Sequence, residues 1–120
     1  MSRSVVLGPT AVEVRLSGLT AVGALARSVV IPYARIAAVG TEPFEKRGTP
    51  RLWRTGGYAL GGTLHGRFRR GSRRLFLSFE DASRVVQLEL RPGGGEPGFD
   101  LVVVGVPDPA ATARAIEAAR

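Results

Sequence analysis

The sequence predicts a small, mainly β domain: a barrel or sandwich of about seven antiparallel strands capped by one C-terminal α-helix. Apolar and polar residues alternate over residues 12–16, as in a strand with one buried face. Two further alternating segments flank Gly71 and Ser72, which have the composition of a two-residue hairpin turn. Asp108 and Pro109 precede an Ala-rich stretch and mark the start of a helix. A chain of 120 residues fits one such domain, residues 1–120.

The first half of the chain is predicted to supply three strands. The first ends at Ser17 and Gly18, and the second is a β-branched run over residues 28–31 that stops at Pro32, which cannot donate to a central ladder. Residues 33–36 allow a single turn only, and residues 37–42 predict a short third strand.

Glycine dominates the middle of the chain. Five glycines fall within residues 56–66, a density that favours tight bends or bulges over regular structure. Gly66 lies inside a strand pattern, so close packing or a bend is expected there.

The register of a hairpin over residues 63–79 follows from its turn. With Gly71 first in a type II′ turn, the predicted pairs are Arg70–Arg73, Arg69–Arg74, Phe68–Leu75, Gly66–Leu77 and Leu64–Phe79. The large apolar side chains then share a core face. The predicted outward face carries His65, Arg67, Arg69, Arg74, Phe76 and Ser78. Arg69 opposite Arg74 is a like-charge pair, which costs a few tenths to about 1 kcal/mol unless an anion lies between them.

The last third of the chain predicts two strands and the helix. Val86, Leu88 and Leu90 are expected on the core side with the same parity as the hairpin, and residues 91–97 form an exposed loop. Residues 99–104 predict a strand that is apolar on both faces, so its second face needs a cover.

The predicted cover is the C-terminal helix. Asp108 is its N-cap, Pro109 its first residue and Arg120 its end, and Ala113 and Ile116 form its apolar stripe.

Composition excludes several classes of protein. Apolar residues make up 44% and charged residues 22%, which is typical of a folded domain and unlike a disordered chain. The absence of cysteine excludes disulfides, thiolate nucleophiles and cysteine-ligated metals. The most apolar run, residues 21–33, is interrupted by Gly23, Arg27 and Pro32, and the run after Arg3 is too short for a signal peptide. The protein is therefore expected to be soluble and cytoplasmic.

The net charge of +7 comes from one segment. Residues 46–74 carry nine of the seventeen basic residues and no acid, whereas the rest of the chain has eight bases and ten acids. An anionic partner is one interpretation, with an acidic membrane surface favoured over nucleic acid. A solvated basic face is the other, because sixteen of the bases are Arg in a chain rich in Ala, Gly and Val.

No catalytic, metal or cofactor site is predicted. His65 is the only histidine and is expected to be a surface residue without convergent partners. Glu80 and Asp81 fit turn chemistry. Trp53 and Tyr58 flank the glycine segment, where an aromatic ring either stacks on a ligand or packs at the rim of the core. The candidate residues for binding an anion or a partner are Arg67, Arg69, Arg74, Arg54 and Trp53.

Three stretches resemble the bacterial pleckstrin-homology-like (PH-like) domain family. They are residues 31–39 (IPYARIAAV), residues 54–58 (RTGGY) leading to residues 66–68, and residues 102–109. The similarity extends over roughly residues 10 to 120 and rests on turns and core positions. It implies two nearly orthogonal sheets with a helix plugging one open end, and a non-catalytic binding or assembly role.

The chain departs from the pattern by which eukaryotic relatives of that family bind phosphoinositides. Those relatives cluster bases around the first strand and the loop after it. Here Arg15 and Arg27 are present, but residues 17–26 carry no base and Val29 stands where another base is wanted.

Two functions follow from these observations. The favoured one is a non-catalytic binding or assembly module that engages protein partners, or itself, through a sheet edge or a loop face. The alternative is an anion-binding module that uses the Arg-rich hairpin on an acidic membrane surface or nucleic acid. No small-molecule cofactor is expected, and an enzyme is the least favoured interpretation.

Overall fold

The fold is given by a computed structural model that describes residues 2–17, 28–47, 50–92 and 98–120. These residues form a mainly β structure of two sheets with one C-terminal helix. A single 3₁₀ turn, Tyr33–Arg35, precedes the fourth strand. The strands are β1 (Ser2–Leu7), β2 (Ala11–Ser17), β3 (Ser28–Pro32), β4 (Ile36–Gly40), β5 (Leu52–Leu60), β6 (Thr63–Arg70), β7 (Arg73–Phe79), β8 (Val85–Leu90) and β9 (Leu101–Gly105), and the helix is α1 (Pro109–Ala119).

The described residues contain nine strands where about seven were predicted. One addition is β1, which pairs antiparallel with β2 although its apolar run is short. The other is β5, where the glycine segment was expected to bend. β5 does carry the expected bulge, at Thr55, but it continues as a nine-residue strand because Gly57 takes a φ of 97° that other residues avoid.

The sheets have the orders β1-β2-β3 and β4-β8-β9-β7-β6-β5. The prediction of antiparallel pairing throughout is wrong at one place, because β9 inserts between β7 and β8 and pairs parallel with β7. Strands that are consecutive in the chain usually pair with each other, so the sequence alone does not predict this insertion. In the described part of the chain the two sheets remain separate and do not close into a barrel.

The predicted hairpin register is confirmed over β6 and β7. Every predicted pair is present, from Arg70–Arg73 at the turn to Leu64–Phe79 at the far end. Gly71 has a φ of 65°, the positive value that the first position of a type II′ turn requires. The predicted core face is buried as well, through Leu64, Phe68, Leu75, Leu77 and Phe79.

The other face of the hairpin was predicted to point outward, and for half of its length this is wrong. His65, Phe76 and Ser78 are all buried, at 1%, 1% and 0% exposure. They are covered because the small sheet of β1, β2 and β3 packs on this face. Arg67, Arg69 and Arg74 remain exposed, as predicted.

The large sheet is therefore buried on both faces. On one face Val14 and Ile31 of the small sheet pack with Phe76 and Val102 of the large one. On the other face Phe44, from the segment that joins β4 to β5, packs against the hairpin core. Each apolar side chain so buried contributes roughly 1.5–3 kcal/mol, which is why strands with two apolar faces form the centre of the sheet.

Strands β8 and β9 are buried as predicted, but β8 uses the other face from the one expected. Val86, Leu88 and Leu90 lie on the face of Phe76, opposite the hairpin core. The second face of β9, which carries Val102, belongs to the same core cluster as the small sheet and Ile116 of α1, so the helix is one part of the predicted cover.

Helix α1 begins as predicted and packs chiefly against β8 and β4. Asp108 Oδ1 accepts a hydrogen bond from the Ala111 N–H at 3.1 Å, and Pro109 is the first helical residue. The buried Ile116 lies against β8 and β4. Among the described residues there is no helix with the length and hydropathy to cross a membrane.

Parts of two predicted loops lie outside the described residues. These are residues 18–27, which include Arg27, and residues 93–97. The remainder of the second loop, Arg91 and Pro92, is exposed as expected.

Candidate functional site

A groove opens where the small sheet stops covering the hairpin. Its volume is about 700 Å³, and it lies between β3 on one side and β6 and β7 on the other. We call it the arginine groove. It is lined by Ser28, Val29, Val30, Thr55, Arg67, Phe68, Arg69, Arg74, Phe76, Gly98 and Phe99.

Three of the five candidate residues meet in this groove. Arg67 and Arg69 are alternate residues of β6, so both point to the same face of the sheet. Arg74 of β7 stands directly opposite Arg69 in the hairpin register. The predicted like-charge pair is therefore present, and it faces the groove.

Among the described residues, the charge of the groove is poorly compensated. No described lining residue is a carboxylate. The Arg74 Nε lies 4.0 Å from Asp100 Oδ2, but that oxygen already accepts the Arg74 backbone N–H at 2.7 Å. Arg67 and Arg69 have no hydrogen-bond or ion-pair partner within residues 2–17, 28–47, 50–92 and 98–120. Guanidinium groups in this situation can bind a carboxylate or a phosphate through paired N–H donors.

Apolar side chains form the rest of the groove. The rings of Phe76 and Phe99 are tilted against each other with centroids 5.5 Å apart. Val30 projects from β3 and is 49% exposed. The groove therefore combines a cationic wall with an apolar one, a combination that suits a ligand with both characters.

Arg54 and Trp53, the other two candidates, do not line the groove. Arg54 pairs with Phe68 in the β5–β6 register. Trp53 pairs with Arg69 and is 58% exposed, and the Arg51 guanidinium lies 4.6 Å from the centre of its ring. From β5 only Thr55, the bulged residue, contributes to the lining.

Sequence reasoning missed the residues that complete the groove, chiefly those of β3 and Phe99. The alternation of β3 does indicate that Val30 points away from the core. Nothing in the sequence shows that β3 lies opposite the hairpin arginines, because that placement depends on how the two sheets pack.

The buried end of the same hairpin face holds a polar cluster that was not predicted. Arg3 of β1 donates from Nε to Ser78 Oγ at 2.8 Å, from Nη1 to the Gly105 carbonyl at 2.9 Å, and from Nη2 to Glu80 Oε2 at 2.7 Å. His65 Nδ1 lies 3.0 Å from Ser78 Oγ. Its Nε2 lies 3.2 Å from Glu80 Oε2, at an angle that does not make a well-aligned hydrogen bond.

His65 is thus wrongly predicted as a surface residue. Burial first, and then the charge of Arg3, hold the pKa of His65 below its ordinary value, although Glu80 acts in the opposite sense. Ser78 Oγ accepts a hydrogen bond from Arg3, and its own hydroxyl hydrogen can be donated to His65 Nδ1. The ring of Tyr58 stacks on His65 with centroids 5.9 Å apart.

The members of this cluster have the composition of a Ser–His–acid catalytic group, but their positions fit a structural role. Ser78 is fully buried, so no substrate atom reaches its hydroxyl. Arg3 uses its donors on Ser78, Gly105 and Glu80, and in doing so ties β1 to the large sheet.

No metal centre is found in the part of the chain that the structure describes, where no three acidic or histidine side chains converge. Comparisons with protein-family models, with curated proteins and with solved structures give no match to this chain. The resemblance to the PH-like family therefore stays a prediction, and function has to be argued from the arginine groove itself.

Proposed function

We propose that the protein is a non-catalytic binding module that engages a protein partner in the arginine groove. One observation carries the proposal: Arg67, Arg69 and Arg74 line a concave space that has an apolar wall and, in the part of the chain that the structure describes, no carboxylate. The residual cost of bringing Arg69 and Arg74 together is relieved when an acidic group binds between them.

The form of the groove favours a polypeptide ligand. One wall is the strand β3 and another is formed by the side chains of Phe76 and Phe99. A segment of a partner chain offers acidic side chains for the arginines, apolar side chains for the phenylalanines and backbone groups for the strand. Phe76 itself is buried at the floor of the groove, so Phe99 and Val30 supply the apolar surface that a ligand contacts.

Self-association through β5 is less well supported. β5 is the last strand of the large sheet in the described residues and exposes Trp53, Tyr58 and Leu60. The bulge at Thr55 and the positive φ of Gly57 interrupt this edge, and such irregularities hinder pairing between sheet edges.

The alternative of an anion-binding module has one observation in its favour. Trp53 stands beside Arg69 in the register and is exposed, so an aromatic ring is available to stack on a nucleobase or to enter a membrane interface.

The test is a pull-down from native extract of the source cells with three forms of the protein. They are the natural protein, the double variant Arg67→Gln and Arg69→Gln, and the matched control Arg47→Gln and Arg114→Gln, which loses the same charge outside the groove. We expect the natural protein and the control to retain one protein partner that the groove variant loses. That partner is then purified and titrated against all three forms.

Anionic vesicles and a single-stranded oligonucleotide are tested beside it. Binding of either one to the natural protein, with steep loss between 50 and 200 mM salt and no protein partner, would favour the alternative. Equal binding of a partner by the groove variant would contradict the proposal.

A further inference from the structure

We infer that the arginine groove takes an extended, acidic segment of the partner, which adds to the edge of β3 as a fourth strand of the small sheet. The carboxylates of this segment contact Arg67, Arg69 and Arg74. The inference rests on the proposed function and specifies the conformation and charge of the ligand.

Strand β3 has an unpaired edge. The order β1-β2-β3 leaves β3 at the end of the small sheet in the described residues. Its neighbour β2 occupies one side, and the arginine groove lies along residues 28–30 of the strand. An unpaired edge presents backbone donors and acceptors to whatever lies beside it.

The pairing of β3 with β2 decides which backbone groups of β3 point into the groove. The Tyr33 N–H donates to the Thr10 carbonyl at 3.1 Å, immediately beyond the β2–β3 ladder. Hydrogen-bonded and non-hydrogen-bonded pairs alternate along an antiparallel ladder. Val29 and Ile31 therefore bond to β2, whereas the N–H and C=O groups of Ser28 and Val30 point away from it.

The position of Pro32 agrees with this assignment of the backbone groups. Pro32 lies two residues after Val30 and shares its parity, so the nitrogen of Pro32 also points away from β2. Proline has no N–H and is accepted in a sheet where the ladder does not need one, which agrees with the assignment. Pro32 also ends the run of free donors, so a ligand strand can pair with Ser28 and Val30 only.

The free backbone groups of β3 indicate the chemistry of the ligand. Ser28 and Val30 each offer one donor and one acceptor, a pattern that a second polypeptide strand complements. A phosphate or a phosphodiester has acceptors but no donors, so it leaves the two carbonyls unmatched. Acidic side chains then satisfy the cationic wall, and a single carboxylate can lie between Arg69 and Arg74, which are directly opposite each other.

The test uses a fluorescein-labelled peptide of four Val-Glu repeats, with both ends blocked, and fluorescence anisotropy at low salt. Val30→Pro removes the N–H that points into the groove and leaves the β2 ladder complete, as Pro32 does in the natural chain. Val30→Ala is the matched control, because it trims the same side chain and keeps the N–H. We expect about a tenfold loss of affinity for Val30→Pro and less than about threefold for Val30→Ala, since only the proline leaves a carbonyl of the ligand without its donor.

The arginines are tested in the same assay. Arg67→Gln with Arg69→Gln is expected to lose about tenfold or more, because two charge-assisted contacts are removed. If this variant loses affinity and Val30→Pro binds like Val30→Ala, the strand addition is wrong and the proposed function stands. If the arginine variant binds as the natural protein does, the proposed function is contradicted as well.

A peptide with N-methyl groups on alternate amides makes the test independent of the folding of Val30→Pro. Methylation in the phase that faces β3 is expected to abolish binding to the natural protein, and methylation in the other phase to leave it. Equal effects of the two phases overturn the inference. So does the absence of saturable binding of the parent peptide up to about 1 mM, or binding of phosphatidylserine vesicles or oligothymidylate in its place.

Discussion

The two ends of one hairpin face hold arginines in opposite situations. At the end near Ser78, Arg3 is largely buried and its guanidinium makes three hydrogen bonds to other strands and loops. At the other end, Arg67 and Arg69 are exposed and no described residue pairs with them. The difference is that the small sheet covers only the first end. An arginine stabilises the fold where the protein supplies its hydrogen-bond partners, and it is available to a ligand where the protein does not.

The largest effect is expected at Gly66, which separates the two ends. A Cβ at this position would lie 2.8 Å from the Gly57 Cα and closer still to the Gly56 carbonyl oxygen, and the φ of Gly66 is 137°. Gly66→Ala should therefore force β5 away from β6 and cost about 3 kcal/mol or more of unfolding free energy.

Urea unfolding measures this cost. The matched control is Gly98→Ala, where the one described atom within 4 Å of the added Cβ is Arg74 Nη1, at an ordinary 3.7 Å. A Gly66→Ala protein as stable as the Gly98→Ala protein would show that β5 is not held as closely as described.

The next largest effect distinguishes the two kinds of arginine directly. Arg3→Ala leaves Ser78, Gly105 and Glu80 without their donor, and we expect a loss of about 2–4 kcal/mol. Arg69→Ala removes a side chain with no described partner and should change stability by no more than about 0.5 kcal/mol. Denaturant unfolding of both variants gives the comparison, which fails if the two losses are equal.

The buried polar cluster around His65 should also make the free energy of unfolding depend on pH. The pKa of His65 is lowered by burial and by Arg3 from its ordinary 6.5, so the unfolded chain takes up a proton more readily than the folded one. Stability is complete above pH 6.5 and falls as the pH drops from 6.5 towards the pKa of the folded state.

Glu80 extends this loss to lower pH. Partial burial opposes the shift, but the hydrogen bond and charge of Arg3 hold the pKa of Glu80 below its ordinary 4.5, so stability falls further below that value. Urea unfolding from pH 7.5 to about 3 follows both steps. His65→Gln should remove the first step and keep the second, and an unchanged profile in that variant would contradict the assignment.

The smallest change in stability is expected at the exposed end of the hairpin face, where Arg69 and Arg74 lie. Replacing Arg69 and Arg74 together by Gln relieves a like-charge pair, so stability should rise by a few tenths of a kcal/mol at low salt. The gain should vanish at 0.5 M salt, where such repulsion is screened. Binding of the acidic peptide should weaken in the same variant. A loss of stability comparable to that of Arg3→Ala would mean that the exposed end is also structural.

Local patterning predicted those features that depend on neighbours in the chain. Gly71 and Ser72 specified a turn, the turn specified a register, and the register placed Arg69 opposite Arg74. Asp108 and Pro109 likewise predicted the start of α1. These predictions succeeded because hydrogen bonds and steric limits within a few residues decide the outcome.

The errors arose where distant segments decide the outcome. His65 and Arg67 have the same parity on the same strand, but segments far away in the sequence cover the first, among them Tyr58 and the strand β1, and leave the second exposed. β5 was expected to bend because Gly56 and Gly57 disfavour a strand, yet eight of its nine residues pair with β6, and the freedom of glycine accommodates the bulge. The arginine groove was half predicted for the same reason: the hairpin supplied its charges, and the packing of β3 supplied its opposite wall.

The insertion of β9 between β7 and β8 has a consequence for how the chain acquires its fold. The two strands that flank β9 are synthesised before it, and neither can complete its ladder until residues 101–105 are available. The centre of the large sheet is thus closed by one of its last segments, through contacts far apart in sequence. Domains dominated by such contacts fold in milliseconds to seconds, and until then the inner edges of β7 and β8 remain open to other chains.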